Sequence, residues 1–187
     1  HAHARMTSFD LSGARAVPGV RAVLSARDIP GANQVGPVVH DELLLATDEV
    51  TFVGQAVFLI AAQTEEQCRV AERAIRVEYA PLDAILDLPS AMAAGSLIGP
   101  PRRILRGDPV GEITRAPHRS TGELETGAQE HWYLETQAAL CVPVESDRMN
   151  VYSSTQHPSE TQALVADVLG WPRNAVEVEV RRLGGGF

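Results

Sequence analysis

The chain has no lysine. All 16 of its Lys-or-Arg positions are arginine, set against 24 acidic residues, for a formal charge of −8 over 187 residues. A net acidic surface argues against a nucleic-acid backbone as the main partner, and the missing lysine reads as a compositional bias of the source. Cysteine is nearly as scarce. Cys68 and Cys141 are far apart with no CxxC spacing, which excludes an iron–sulfur cluster or a four-ligand zinc site built from this chain alone. Both are expected to be reduced, buried thiols of a cytoplasmic protein. No apolar run approaches the roughly 18 residues that span a membrane, and no signal peptide is visible. The two ends read as cut, because the chain opens on His1 without a methionine and stops inside Gly184-Gly185-Gly186-Phe187. The expectation is a piece of a longer polypeptide.

What is present reads as α+β. Asp10 is placed to cap a short helix from Leu11 to Ala16 that ends at Pro18-Gly19, and Val20 to Leu24 follows as a strand. Ser25 to Pro30 reads as a turn and Gly31 to Asp41 as an irregular loop. After Gly54-Gln55, the apolar run Ala56 to Ala61 predicts a strand buried on both faces. Thr64 and Gln67 form a capping box for a helix from Glu65 to Ala74, with Cys68, Ala71 and Ile75 on one face. Arg76 to Tyr79 alternates as a strand. Leu88 to about Gly111 reads as a linker, broken by Pro89, Gly95, Gly99-Pro100-Pro101 and Gly107-Asp108-Pro109. Its arginines, Arg102, Arg103 and Arg106, read as a solvated cluster.

The second half carries the denser chemistry. Ser120 to Thr126 and Gln137 to Val144 read as strands flanking Gly127 to Thr136, which packs an amide, two carboxylates, a histidine and two aromatics into ten residues. Such a segment is either a site or a half-buried turn in which Trp132 and Tyr133 pack. Asn150 to Ser154 predicts a strand, and Pro158 suits the first turn of a helix ending at Gly170. Val176, Val178 and Val180 then alternate with charged residues as a strand with one buried face. Gln156 would stand after one strand and the triple glycine after the next, so an amide and bare backbone could converge on one ligand. His157 lacks a second ligand at helical spacing and is not expected to bind metal.

Three motifs carry a resemblance. Gly127-Ala128-Gln129-Glu130-His131-Trp132-Tyr133-Leu134-Glu135 is similar to the GGQEHFYLE segment of the molybdenum-binding large subunit of the xanthine dehydrogenase and aldehyde oxidase family. Ser154-Thr155-Gln156-His157-Pro158-Ser159-Glu160 resembles that family's STQ loop, in the HPSE form associated with bacterial xanthine dehydrogenases. Arg181 to Phe187 resembles the start of its RRMGGGFGGKE loop. His1-Ala2-His3-Ala4-Arg5 and Gly54-Gln55 also match its preceding α/β hammerhead domain.

The resemblance implies an α/β hammerhead domain over 1–89, its first strand missing, a linker over 90–118, and the truncated start of a molybdopterin-binding domain over 119–187. It implies an oxidoreductase of purine catabolism that hydroxylates xanthine or hypoxanthine with oxygen from water. Its electrons would pass to iron–sulfur clusters and FAD carried on other chains or domains. The cofactor would be a molybdenum pterin, with Gln156 beside the molybdenum's ligand oxygens. Gly185, Gly186 and Phe187 would touch the cofactor through their backbone, Phe187 near the metal. The implied partners are the rest of the molybdenum subunit, the iron–sulfur and flavin portion and a purine, in a dimeric assembly. No catalytic residue is expected here. The substrate glutamate, the substrate arginine and the catalytic glutamate have no counterparts, and neither Glu130 nor Glu135 takes the place of the missing base. The chain is therefore expected to be inactive alone. Alternatives are an aldehyde or carbon monoxide oxidising member, or a non-catalytic structural or assembly module. Ala128 and Trp132 depart from the family's glycine and phenylalanine, which bears on local packing only.

Overall fold

A computed structural model describes residues 1–135 and 137–186, and its architecture is mixed α+β. In chain order the elements are β1 (Ala4–Asp10), α1 (Ser12–Arg15), β2 (Val20–Leu24), β3 (Glu49–Val50), β4 (Leu59–Ala62), α2 (Glu65–Ala74) and β5 (Arg76–Pro81). Then come α3 (Leu88–Ala94), α4 (Pro109–Arg115), β6 (Ala139–Val144), β7 (Arg148–Ser153), α5 (Pro158–Leu169) and β8 (Val176–Glu179), with single 3-10 turns at Ala26–Asp28 and Arg173–Ala175. The backbone divides into two units, one formed by 1–84 with 133–187 and the other by 85–132.

In the larger unit, β1 lies between β3 and β5, antiparallel to both. The sequence reading overlooks β1 because its register shifts between Met6 and Ser8. The extra residue puts Met6 and Phe9, three apart, against the two cores of this region, so simple alternation fails. Leu11, Ala14, Val23 and Ala71 form one of those cores, where α1 and α2 pack beside β2 and β4. Ala4, Ala46 and Val50 form the other, with Met6, Val57 and Tyr79 against it.

The capping box forms as expected. Thr64 Oγ1 accepts the Gln67 N–H at 3.3 Å, and the Gln67 side chain accepts the Thr64 N–H at 3.1 Å. The apolar strand does not. β4 starts later than predicted and, among the described residues, pairs with β2 alone in a two-stranded sheet. Phe58 and Ile60 pack on the core while Leu59 keeps 46% of its surface in solvent. The run is thus one buried face interleaved with an open one. Cys141 is also exposed, against expectation, while Cys68 is half-buried; both are free thiols.

The rest of the larger unit is a three-stranded sheet, β6-β7-β8. β6 and β7 form an antiparallel hairpin across residues 145–147, where Ser146 and Asp147 adopt positive φ. β8 returns parallel to β7 through α5, the crossover a parallel pair requires. Val151, Ala166 and Val176 are buried between helix and sheet. Two segments distant in sequence meet at the end of α5. The N–H groups of Gly31 and Ala32 donate to Val168 O and Asp167 O at 2.9 and 2.8 Å, satisfying carbonyls that a helix terminus leaves open.

The smaller unit, 85–132, contains α3 and α4 and no buried residue. The residues that suggest an unbroken linker here are helix signals. Asp87 and Asp108 cap the two helices by accepting the N–H of Ser90 and Gly111, Pro89 and Pro109 occupy first turns, and Gly95 closes α3 at φ 65°. The expected strand at Ser120–Thr126 does not form; that stretch is irregular and exposed.

Candidate functional site

β7 and β8 run parallel, with Tyr152 opposite Glu179, so their C-terminal ends lie at one edge of the sheet. The same edge receives the start of β6, since Ala139 pairs with Ser153. Three chain segments therefore emerge together: the lead into β6, the loop after β7 and the loop after β8. They carry Glu135, Gln156 and Gly184 to Gly186.

Gln156 is set between a strand end and a helix start. Thr155 Oγ1 accepts the His157 N–H at 3.0 Å and also contacts Thr161 Oγ1 at 3.3 Å. His157 caps α5, its Nδ1 accepting the Glu160 N–H at 3.3 Å. That cap uses the imidazole lone pair, a structural role for the ring. At the other end of the crossover, Gln162 Nε2 donates to Val176 O at 2.7 Å and ties α5 to the start of β8.

The glycine loop meets Gln156 directly. Gln156 Nε2 donates to Gly186 O at 2.5 Å. A Cβ built on Gly186 would stand 2.5 Å from that same nitrogen, so no larger residue fits there without displacing the amide. Gly184 is confined more firmly, because one of the atoms in its way is a Cβ and not the end of a long side chain. Its N–H donates to Glu135 Oε2 at 2.5 Å, and a Cβ would come within 2.4 Å of Glu135 Cβ. Gly185, between them, is half-buried. Phe187, the remaining predicted contact, lies outside the described residues.

The approach to the loop is braced as well. Arg181 donates from Nε to Glu179 Oε1 at 2.7 Å and lies over the Tyr152 ring, 4.8 Å from its centroid. The Glu179 carboxylate is the main reason the Arg181 guanidinium is pushed above its ordinary pKa.

Sequence reasoning singles out Gln156 with Gly185 and Gly186, and the fold does bring the glutamine to the loop. It misses the contact of Glu135 with Gly184 and the stacking of Arg181 on Tyr152. Glu135 was visible only as the last residue of the Gly127–Glu135 motif. Trp132, offered as a packing residue, is 87% exposed with φ 50°. Tyr133 is half-buried, its hydroxyl accepting from the Gln137 amide.

Chemically the edge offers neutral donors. A glutamine Nε2 carries two hydrogens, of which Gly186 O takes one, and the glycine backbone can approach a ligand without a side chain between. Among the described residues no group of three or more His, Cys, Asp or Glu could hold a metal ion. The one charged group among these residues, the Glu135 carboxylate, accepts the Gly184 N–H, and the donors left for a ligand are neutral.

Comparison with known proteins gives a consistent picture. Residues 1–83 match the family model "Aldehyde oxidase and xanthine dehydrogenase, a/b hammerhead domain", and residues 96–187 match "Molybdopterin cofactor-binding domain". The chain is 41% identical over 186 residues to a xanthine dehydrogenase of Dictyostelium discoideum and 40% identical over 187 residues to a xanthine dehydrogenase/oxidase of Gallus gallus. In both cases all of this chain is covered but only 14% of the relative, so the chain spans about one seventh of their length. Among solved structures, the quinoline 2-oxidoreductase of Pseudomonas putida 86 superposes with TM-score 0.84 at 27% identity, covering 100% of this chain and 26% of that one. The aldehyde oxidoreductase of Desulfovibrio gigas gives TM-score 0.85 at 21% identity over 100% of this chain and 22% of its own, a likeness of fold. With its two halves matched in order by these two models, the chain belongs to the xanthine dehydrogenase and aldehyde oxidase family, in the molybdenum-binding large-subunit portion of it.

Proposed function

We propose that this chain forms one wall of the molybdenum-pterin site in an enzyme that hydroxylates a xanthine-type purine. The observation that carries the reading is the contact of Gln156 with Gly186, at a glycine where a Cβ would strike the amide. When bound, the cofactor supplies the two-electron redox chemistry and the activation of water-derived oxygen. The chain's own residues supply position. Gln156 presents its second amide hydrogen toward the cofactor's oxygens, adding a donor without adding charge. The backbone N–H groups of Gly185 and Gly186 would stabilise the pterin's anionic groups, and Phe187 is assigned to the same contact from its place in the motif alone. None of these residues transfers a proton. Glu135 is given no part in proton transfer: the role assigned to it is that of its Oε2, which accepts the Gly184 N–H.

The purine assignment rests on about 40% identity to xanthine dehydrogenases along the whole chain. The iron–sulfur and flavin centres, the remaining molybdenum portion and a dimeric assembly belong to the same proposal, as do the domain limits 1–89, 90–118 and 119–187. The free thiols of Cys68 and Cys141 fit a reducing, cytoplasmic compartment. The test is to purify the full-length protein, measure molybdenum and pterin per chain, and assay xanthine, hypoxanthine and aldehydes. Stoichiometric cofactor with purine turnover supports the proposal. Turnover of aldehydes alone reassigns the substrate, and an active assembly free of pterin makes this region a structural module.

A further inference from the structure

Gly184 occupies a place that a side chain from 49 residues upstream already borders. Glu135 Oε2 accepts its N–H at 2.5 Å, and a Cβ at Gly184 would lie 2.4 Å from Glu135 Cβ. That second atom is fixed by its own backbone and cannot swing aside as the end of a long side chain can. The approach is therefore between two backbones, and the carboxylate spans it with a charge-assisted hydrogen bond.

The topology makes the contact systematic. Glu135 lies four residues before β6, whose first residue Ala139 pairs with Ser153, and Gln156 lies three residues after Ser153. Both side chains thus extend from the open end of one hairpin, over the loop that leaves β8. Glu135 takes the first glycine and Gln156 the third.

We propose that Glu135 is a positioning residue for the glycine loop. Its carboxylate anchors Gly184 so that Gly185 and Gly186 pass Gln156 at a fixed height. The functional part of this rests on the reading that the loop faces the pterin; the anchoring does not. A glycine-rich turn is the most conformationally free kind of backbone, and its donors serve a ligand well only when the loop is held before the ligand arrives.

The test uses the full-length holoprotein with Glu135→Ala, Glu135→Gln and Glu135→Asp. Hydrogen exchange of the peptide containing Gly184 is read by mass spectrometry, and bound pterin and molybdenum are measured per chain. Losing one net hydrogen bond predicts exchange roughly five- to tenfold faster in Glu135→Ala, with lower cofactor retention. Glu135→Gln keeps an acceptor of the same reach and restores much of both. Glu135→Asp is one methylene short and falls between. Unchanged exchange and retention in Glu135→Ala overturn the proposal. Where Glu135→Ala does not accumulate, the other two decide: a near-normal glutamine variant beside an impaired aspartate supports anchoring, and indistinguishable variants contradict it. A wild-type protein without pterin overturns the functional reading, and the exchange data still decide for or against Glu135.

Discussion

The Gln156 amide and the Gly186 carbonyl, 30 residues apart in the chain, meet at 2.5 Å where the loops after β7 and β8 converge. The contact fixes the orientation of the amide, since only its NH₂ end can donate to a carbonyl. Gln156→Glu replaces that donor by an acceptor and sets a carboxylate against the Gly186 oxygen. The expected result is at least a tenfold loss of cofactor retention, with the thermal midpoint changed little because the side chain is exposed. Cofactor analysis paired with thermal unfolding checks this, and full retention counts against the assigned role.

The seam between the two halves of the larger unit is equally specific. A Cβ on Gly31 would stand 2.0 Å from Asp167 O and 2.6 Å from Gly170 N, both backbone atoms at the end of α5. Gly31→Ala must break the bonds of Gly31 and Ala32 to the α5 carbonyls, at an expected cost of about 2–4 kcal/mol. Urea unfolding measures it. A change below about 0.5 kcal/mol would mean the seam yields without cost.

His3 offers a pH dependence. Its Nδ1 and Nε2 each lie 2.7 Å from an acceptor, Asp83 O and Glu49 Oε1. A neutral imidazole donates through only one nitrogen. The Asp83 carbonyl first, then the Glu49 carboxylate, raise the His3 pKa above its ordinary value. A raised folded-state pKa means the stabilisation is complete below the unfolded value of about 6.5 and is lost as pH rises through the folded value. Thermal midpoints across that window should fall for wild type relative to His3→Gln as pH rises. Parallel curves would exclude the linkage.

The Thr64 cap tests the best-read element. Thr64→Ala should cost about 1 kcal/mol. Gly19→Ala should also destabilise, because Gly19 sits at φ 89° and a Cβ would lie 2.3 Å from Gln67 Nε2, part of the side chain that completes the cap. The two variants share Gln67, so their effects should not add. Chemical denaturation of the single and double variants decides.

These elements show what could be read before the structure. Thr64 with Gln67, Pro158 and Gly170 are local signals whose partners lie within one helical turn, and each lands as predicted. The smaller unit shows the opposite case. Pro89 and Pro109 break helices in mid-run but start them at the first turn, and only the capping aspartates before them distinguish the two. The burial of the Leu59 strand depends on how many strands flank it, which its own composition does not record. Gln156 and the glycine loop were legible through their motifs. Glu135 against Gly184 was not, because the pairing is set by the hairpin register of β6 and β7 across 49 residues.

The central claim is that the glycine loop and Gln156 together hold the molybdenum-pterin cofactor. The most direct measurement is pterin and molybdenum per chain in full-length Gly186→Ala beside wild type, with folding verified by matching thermal unfolding. The added methyl would stand 2.5 Å from Gln156 Nε2 and must part the two. The account predicts near-stoichiometric cofactor in wild type and a loss on the order of tenfold in the variant. Equal cofactor in the two proteins would contradict it.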